Sequence, residues 1–136
     1  MLGTKLKIMQ ITKNFKLAEF ECKCGKCVLP KERILEIVVI AIILQKVRDF
    51  IQMPIKVNSG YRCNFHNNEV GGVQNSYHMK GKAVDISCGI FKGSHLRKIV
   101  FDLMNSNVLP YLFVKEYDNF IHIDTRYLRP EQILKL

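Results

Sequence analysis

The pattern of apolar and polar positions divides the chain into a few elements. Ile34, Ile37, Val38, Ala41, Leu44, Val47 and Phe50 recur at helical spacing. Val39, Ile40, Ile42 and Ile43 fill the other side, so the pattern predicts a scaffold helix from about Pro30 to Phe50, buried almost all round in its middle. Pro30-Lys31-Glu32 provides its start, with a proline early and an acid in the first turn. A second helix is predicted from Phe91 to Asn105, with Leu96, Ile99, Val100, Leu103 and Met104 as its apolar face and Ser94 as its cap. Strand signals are shorter. Pro54 to Gly60 reads as a strand entering a glycine turn. Ala83 to Ser87 alternates, with Ala83, Asp85 and Ser87 on one face and Val84 and Ile86 on the other. Tyr111 to Glu116 and Phe120 to Thr125 alternate around a tight polar turn and predict a β-hairpin, in which Phe120, His122 and Asp124 share a face opposite Ile121 and Ile123.

The intervening stretches are less regular. A short strand is expected around Leu6–Ile11, then a small helical turn over Phe15, Leu17 and Phe20, begun by Thr12 or Asn14. Glycine and proline mark Cys22-Lys23-Cys24-Gly25-Lys26-Cys27 as a loop. Tyr61 to Asn75 is polar and glycine-rich, a long loop or a loop with a short helix, and such loops inside compact domains are usually functional. Arg129 to Leu136 suits one helical turn. The order helix, strand, loop, strand, helix, hairpin predicts an α+β fold with a small antiparallel sheet packed against helices, in one domain spanning 1–136.

Composition narrows the setting. A chain of 136 residues with 48% hydrophobic content can bury a core without disulfides. The most apolar run, Ile34–Leu44, is interrupted by Glu36 and falls short of the roughly 20 residues a bilayer span needs. Met1-Leu2-Gly3-Thr4-Lys5 lacks the apolar core of a secretory signal, so cytoplasmic synthesis is expected, with action elsewhere depending on release. Five cysteines in that setting argue against a disulfide framework. The net charge of +9 favours anionic partners such as nucleic acid, acidic lipid or a bacterial wall. The basic residues are spread rather than clustered, which argues against nucleic acid. A monomer is expected.

The most chemically loaded stretch is Ser76 to Asp85. If strands 83–87 and 120–125 are neighbours, Asp85 and His122 converge and His78 swings in from the Gly81 turn. Two histidines and a carboxylate make a catalytic zinc set with an open position for water; the alternative is ordinary polar residues on a solvated sheet face. Cys22, Cys24 and Cys27, with Cys63 as a fourth ligand, are close enough for a structural zinc or are simply reduced thiols in a loop. Cys88 reads as a small core residue, and His66 and His95 as surface histidines.

Several ordered motifs go further. Ser59-Gly60-Tyr61-Arg62, Asn67, Val70-Gly71-Gly72, Ser76-x-His78-x-x-Gly81-x-Ala83-x-Asp85 and Ile121-His122-Ile123-Asp124 together resemble the zinc D-alanyl-D-alanine carboxypeptidase family. That family includes phage and bacterial peptidoglycan endopeptidases and shares its fold with the Hedgehog signalling domain. Asn14-Phe15-x-Leu17-x-Glu19-Phe20-x-Cys22 resembles its smaller members, so the likeness runs from about residue 12 to residue 126. It implies Zn²⁺ held by His78, Asp85 and His122. Arg62 is expected to pair with a substrate carboxylate or a developing oxyanion, and Ser76 to hydrogen-bond near the metal or only to cap its loop. The implied activity is a metallopeptidase cutting peptidoglycan stem peptides as a carboxypeptidase or endopeptidase, as in a phage-type lysin; the alternative is a catalytically inactive, zinc-containing module that binds the wall.

The general base is the open position. Some relatives carry an acid three residues before the last ligand, which here is Asn119; Hedgehog-like members carry it six before, which here is Glu116. A three-residue hairpin loop, Tyr117–Asn119, would put Glu116 on the His122 face. A two-residue loop, Asp118-Asn119, would send Glu116 to the opposite face and favour Asp118. Glu116 is the preferred candidate, with Asp118 in reserve, and Asp124 is expected to orient His122 or Arg126.

Overall fold

The computed structural model describes residues 9–136. Four strands, β1 (Lys56–Ser59), β2 (Ala83–Ser87), β3 (Phe113–Glu116) and β4 (Ile121–Asp124), form one antiparallel sheet in the order β1-β2-β4-β3. The helices are α1 (Ile34–Ile51), α2 (Asn64–Glu69), α3 (Gly93–Asn105) and the short α4 (Pro130–Ile133), with 3-10 turns at Leu17–Phe20, Lys31–Arg33 and Tyr77–Lys80. This is the α+β architecture anticipated from the order of apolar patterns.

Alternation in the two central strands separates core from chemistry. Val84, Ile86, Ile121 and Ile123 are almost wholly buried. They join one core with Ile37, Ile40, Leu44 and Val47 of α1 and Leu96, Val100 and Leu103 of α3. Burying each such side chain is worth about 1.5–3 kcal/mol, which pins the strand faces. The residues between them, Asp85 and His122, are thereby turned to the other face. No helix among the described residues is long and apolar enough to cross a membrane.

Several local expectations are corrected. Phe50 is 59% exposed, because in the last turn of α1, which ends at a left-handed Gln52, it is Ile51 that packs against the core. Ser94 lies inside α3, whose N-cap is Lys92 and makes no side-chain cap bond. Neither Thr12 nor Asn14 caps the first turn. Both are taken up by Gln45 of α1, whose Oε1 accepts the Thr12 hydroxyl and the Asn14 N–H at 2.8 Å each. The turn is capped instead at Lys16, whose N–H donates to the Glu19 carboxylate at 2.7 Å. His66 is half-buried, its ring 3.8 Å from Glu69, whereas His95 is exposed. Half of the strand expected around Leu6–Ile11 lies outside the described residues; within them, Gln10 makes a single bridge to Lys16.

The segment between α2 and β2 depends on Gly81. Its φ of +71° closes the Tyr77–Lys80 turn, and a Cβ there would lie 3.2 Å from the Arg33 carbonyl oxygen. An L-side chain in this region costs roughly 1–2 kcal/mol. Gly81→Ala is expected to lower the unfolding free energy by about that amount, seen as a lower urea midpoint at unchanged m-value. A wild-type midpoint would show that the turn does not depend on the glycine.

Candidate metal centre

The register brings three side chains together. Asp85 on β2 lies directly opposite His122 on β4, so both project from the same face of the sheet. His78 arrives from the Tyr77–Lys80 turn, which begins where the Ser76 hydroxyl accepts the His78 N–H at 3.2 Å. One ligand atom from each of His78, Asp85 and His122 lies within 4.8 Å of the others. Asp85 Oδ1 is 3.2 Å from His78 Nε2 and 2.9 Å from His122 Nδ1.

The outer nitrogen of each imidazole is already committed. His78 Nδ1–H donates to the Gly60 carbonyl at 2.7 Å, and His122 Nε2–H donates to Asp124 Oδ2 at 2.8 Å. A carbonyl or carboxylate oxygen can only accept, so each outer nitrogen carries a proton, and the inner nitrogens converge on Asp85. Asp124 is fully buried. Arg126 holds it in turn by a two-pronged contact, Nε to Oδ1 at 2.9 Å and Nη2 to Oδ2 at 2.8 Å. The Arg126 guanidinium also lies 3.8 Å from the Phe113 ring centroid and 4.6 Å from that of Tyr77.

Arg62 completes the frame. Its Nη2 donates to Asp85 Oδ2 at 3.3 Å, its Nε to Ser59 Oγ at 3.0 Å and its Nη1 to Asn67 Oδ1 at 3.3 Å. One oxygen of Asp85 thus faces Arg62 and the other faces the histidines. Asn67, which is 1% exposed, also ties down the 70–75 loop through Nδ2 to the Val73 carbonyl at 3.0 Å. Arg62, His78, Asp85, His122 and Arg126 border an open cavity of about 550 Å³ whose other walls include Lys115, Tyr117, Phe120 and Phe113.

The electrostatics follow from these contacts. Burial pushes the Asp85 carboxyl up, but hydrogen bonds with His122 and His78 outweigh it and hold the group well below the usual carboxylate range. Burial likewise opposes charge on Asp124, and Arg126 and His122 outweigh it, so this carboxyl is also lowered. For His122 burial acts against the charged form, yet Asp124 and Asp85 on either side raise its pKa above the ordinary imidazole value. A proton or a metal cation can therefore occupy the space between these atoms, and both favour an ionised Asp85.

The donor set fits zinc. Two neutral imidazoles with fixed outer hydrogen bonds and one carboxylate, beside an open cavity, have the ligand types and count of a catalytic zinc site. The sheet face also reveals what spacing alone missed. Lys115 lies opposite His122 and borders the cavity, as the two-residue hairpin loop would have implied.

That loop decides the position of Glu116. Tyr117 N–H donates to the Phe120 carbonyl at 3.0 Å, leaving Asp118-Asn119 as a two-residue turn. Glu116 then pairs with Ile121, whose side chain is buried in the core. The three-residue loop that would have put Glu116 on the His122 face is not formed, and Glu116 is exposed on the other side of the sheet. Asp118 sits in the exposed turn, its carbonyl accepting the Gly93 N–H at 2.9 Å. Neither carboxylate borders the cavity. Cys22, Cys24, Cys27 and Cys63 form a second group of ligating atoms within 4.8 Å of one another, and Cys88 is buried in the core.

The family model described as Peptidase M15 matches residues 13–124, which includes every residue of the histidine–aspartate cluster. The chain belongs to the peptidase M15 family, whose members are zinc-dependent peptidases. A search of curated proteins found no match.

Two measurements test the centre. Asp124→Asn removes the charge that orients His122, and zinc affinity is expected to fall about 10–100-fold in competition with a chromophoric chelator; an unchanged Kd would contradict the role. Because zinc must displace the proton that the raised His122 pKa retains, affinity is expected to fall as pH drops through that pKa. The slope is about tenfold per pH unit for each proton displaced. An affinity constant between about pH 8 and about pH 5 would contradict the competition.

Proposed function

We propose that the protein is a zinc metallopeptidase that hydrolyses peptide bonds in the stem peptides of peptidoglycan, acting on the wall after release from the cell that makes it. The observation that carries this reading is the convergence of His78 Nε2, Asp85 Oδ1 and His122 Nδ1 beside an open cavity bordered by the cations Arg62, Lys115 and Arg126. Stem peptides are short, carry free carboxylates and belong to an anionic polymer. A cationic cavity in a chain of net charge +9 suits them.

His78, Asp85 and His122 would hold the zinc. When bound, zinc lowers the pKa of a water towards about 7 and polarises a neighbouring carbonyl. The protein does the rest. The inner face of the cavity orients the peptide, with Phe113 and Phe120 as apolar walls for short side chains. Arg62, fixed through Asn67 and Ser59, presents its guanidinium to a substrate carboxylate or to negative charge developing on the scissile carbonyl oxygen. A carboxylate is still required to take a proton from the attacking water and deliver it to the leaving amine. Asp118, between the cavity residues Tyr117 and Phe120, is the better placed of the two candidates; Glu116 faces the other way.

One observation favours a second reading, a zinc-containing module that binds walls without cutting them. Among the described residues that line the cavity the only carboxylate is Asp85, which would itself be a ligand. In that case Lys115 and the arginines would bind the anionic wall, and no residue would move the proton.

Release of free amino groups from purified cell wall separates the readings. His78→Ala is expected to abolish it and Arg62→Lys to lower kcat/KM about a hundredfold. Asp118→Asn is expected to cost far more activity than Glu116→Gln. Wild-type rates in both His78→Ala and Asp118→Asn would reject hydrolysis at this site, and a zinc-loaded wild type that binds walls but releases nothing would establish the binding module.

A further inference from the structure

Four of the five cysteines gather outside the histidine cluster, from two segments far apart in the chain. Cys22, Cys24 and Cys27 lie in the loop that follows the Leu17–Phe20 turn, and Cys63 follows Arg62 at the start of α2. The Cys22 and Cys63 sulfurs are 3.7 Å apart, and those of Cys63 and Cys24 are 3.9 Å apart. A disulfide needs about 2.05 Å, so none of these pairs is bonded. Four thiolates arranged tetrahedrally at about 2.3 Å from a zinc ion stand about 3.8 Å from one another. The observed spacing matches the edge of that tetrahedron.

The surrounding backbone is arranged for negative sulfur. Lys26 and Cys27 N–H donate to the Cys24 sulfur at 3.4 and 3.3 Å, Cys63 N–H to the Cys22 sulfur at 3.4 Å, and His66 N–H to the Cys63 sulfur at 3.4 Å. The Cys24–Cys27 turn is made possible by Gly25 at φ +71°, which aims two N–H groups at one sulfur. Backbone N–H groups directed at ligand sulfurs stabilise thiolate charge and orient the ligands. Three of the four sulfurs, those of Cys22, Cys24 and Cys63, receive such a donor.

We propose that Cys22, Cys24, Cys27 and Cys63 hold a second, structural zinc ion that fastens the N-terminal loop to the segment carrying Arg62. Binding releases the thiol protons and leaves four thiolates on the metal. The same two segments already meet where Tyr61 N–H donates to the Phe20 carbonyl at 2.8 Å. Cys63 is the direct neighbour of Arg62, whose guanidinium bonds Asp85. The clamp therefore fixes the backbone from which Arg62 reaches the histidine cluster. Four sulfur ligands close the coordination shell and leave no position for water, so this zinc has a structural and not a catalytic task.

The inference does not depend on wall hydrolysis, and zinc counting separates the two. Full-length protein purified under reducing conditions is expected to hold two zinc ions per chain by mass spectrometric metal analysis. His78→Ala is expected to keep one, and so are Cys24→Ser and Cys63→Ser. Cobalt exchanged into His78→Ala should give sulfur-to-metal charge-transfer absorption, lost when Cys24→Ser is added. Because a serine variant can fail by misfolding, the wild type supplies an independent readout: titrating its thiols with a mercurial should release one zinc in step with their modification. One zinc per wild-type chain, insensitive to mercurial, would overturn the proposal. So would a disulfide among these cysteines in the freshly purified protein.

Discussion

The site rests on one pairing across the middle of the sheet, Asp85 of β2 opposite His122 of β4. Each is flanked by residues that must face the core, Val84 and Ile86 on one strand and Ile121 and Ile123 on the other. Because side chains alternate along a strand, slipping the register by one residue would bury Asp85 or His122 and expose the isoleucines. The core thus sets the register, and the register sets the candidate metal site. His78 is the one member of the cluster that does not come from the sheet, and it is held by a turn closed at Gly81 and by a hydrogen bond to Gly60.

A second layer of contacts turns this pairing into a centre with a defined charge. Asp124 is buried without exposure, which would be costly for a lone carboxylate, yet it lies between His122 and the Arg126 guanidinium. Asp85 is likewise shared between Arg62 and the histidines. Each carboxylate therefore has a cation on one side and an imidazole on the other, which keeps both ionised and leaves the inner imidazole nitrogens directed at one point. Lys115, Arg62 and Arg126 then give the cavity its positive wall.

Much of this was legible in the sequence because strand alternation is a strong signal. Alternation in Ala83–Ser87 and Phe120–Thr125 separates Asp85 and His122 from the core side chains, and the ordered motifs add His78 as the expected third member of the cluster. What was not legible depended on single hydrogen bonds. The bond from Tyr117 to Phe120 chooses a two-residue turn over a three-residue one, and that choice moves Glu116 from one sheet face to the other. No pattern of residue types distinguishes the two loops. The caps failed for a related reason: Thr12 and Asn14 look like N-caps locally, but Gln45, distant in sequence, competes for them. Gly60 gains its role from a contact of the same kind, the hydrogen bond from His78 eighteen residues away.

The most direct test of the account is the mass of what the protein releases from purified peptidoglycan, followed with zinc present, after chelation and after zinc is restored. The account predicts peptide fragments produced by hydrolysis of a stem-peptide bond, lost on chelation and regained with zinc. Intact wall material after prolonged incubation with the fully zinc-loaded protein would contradict it.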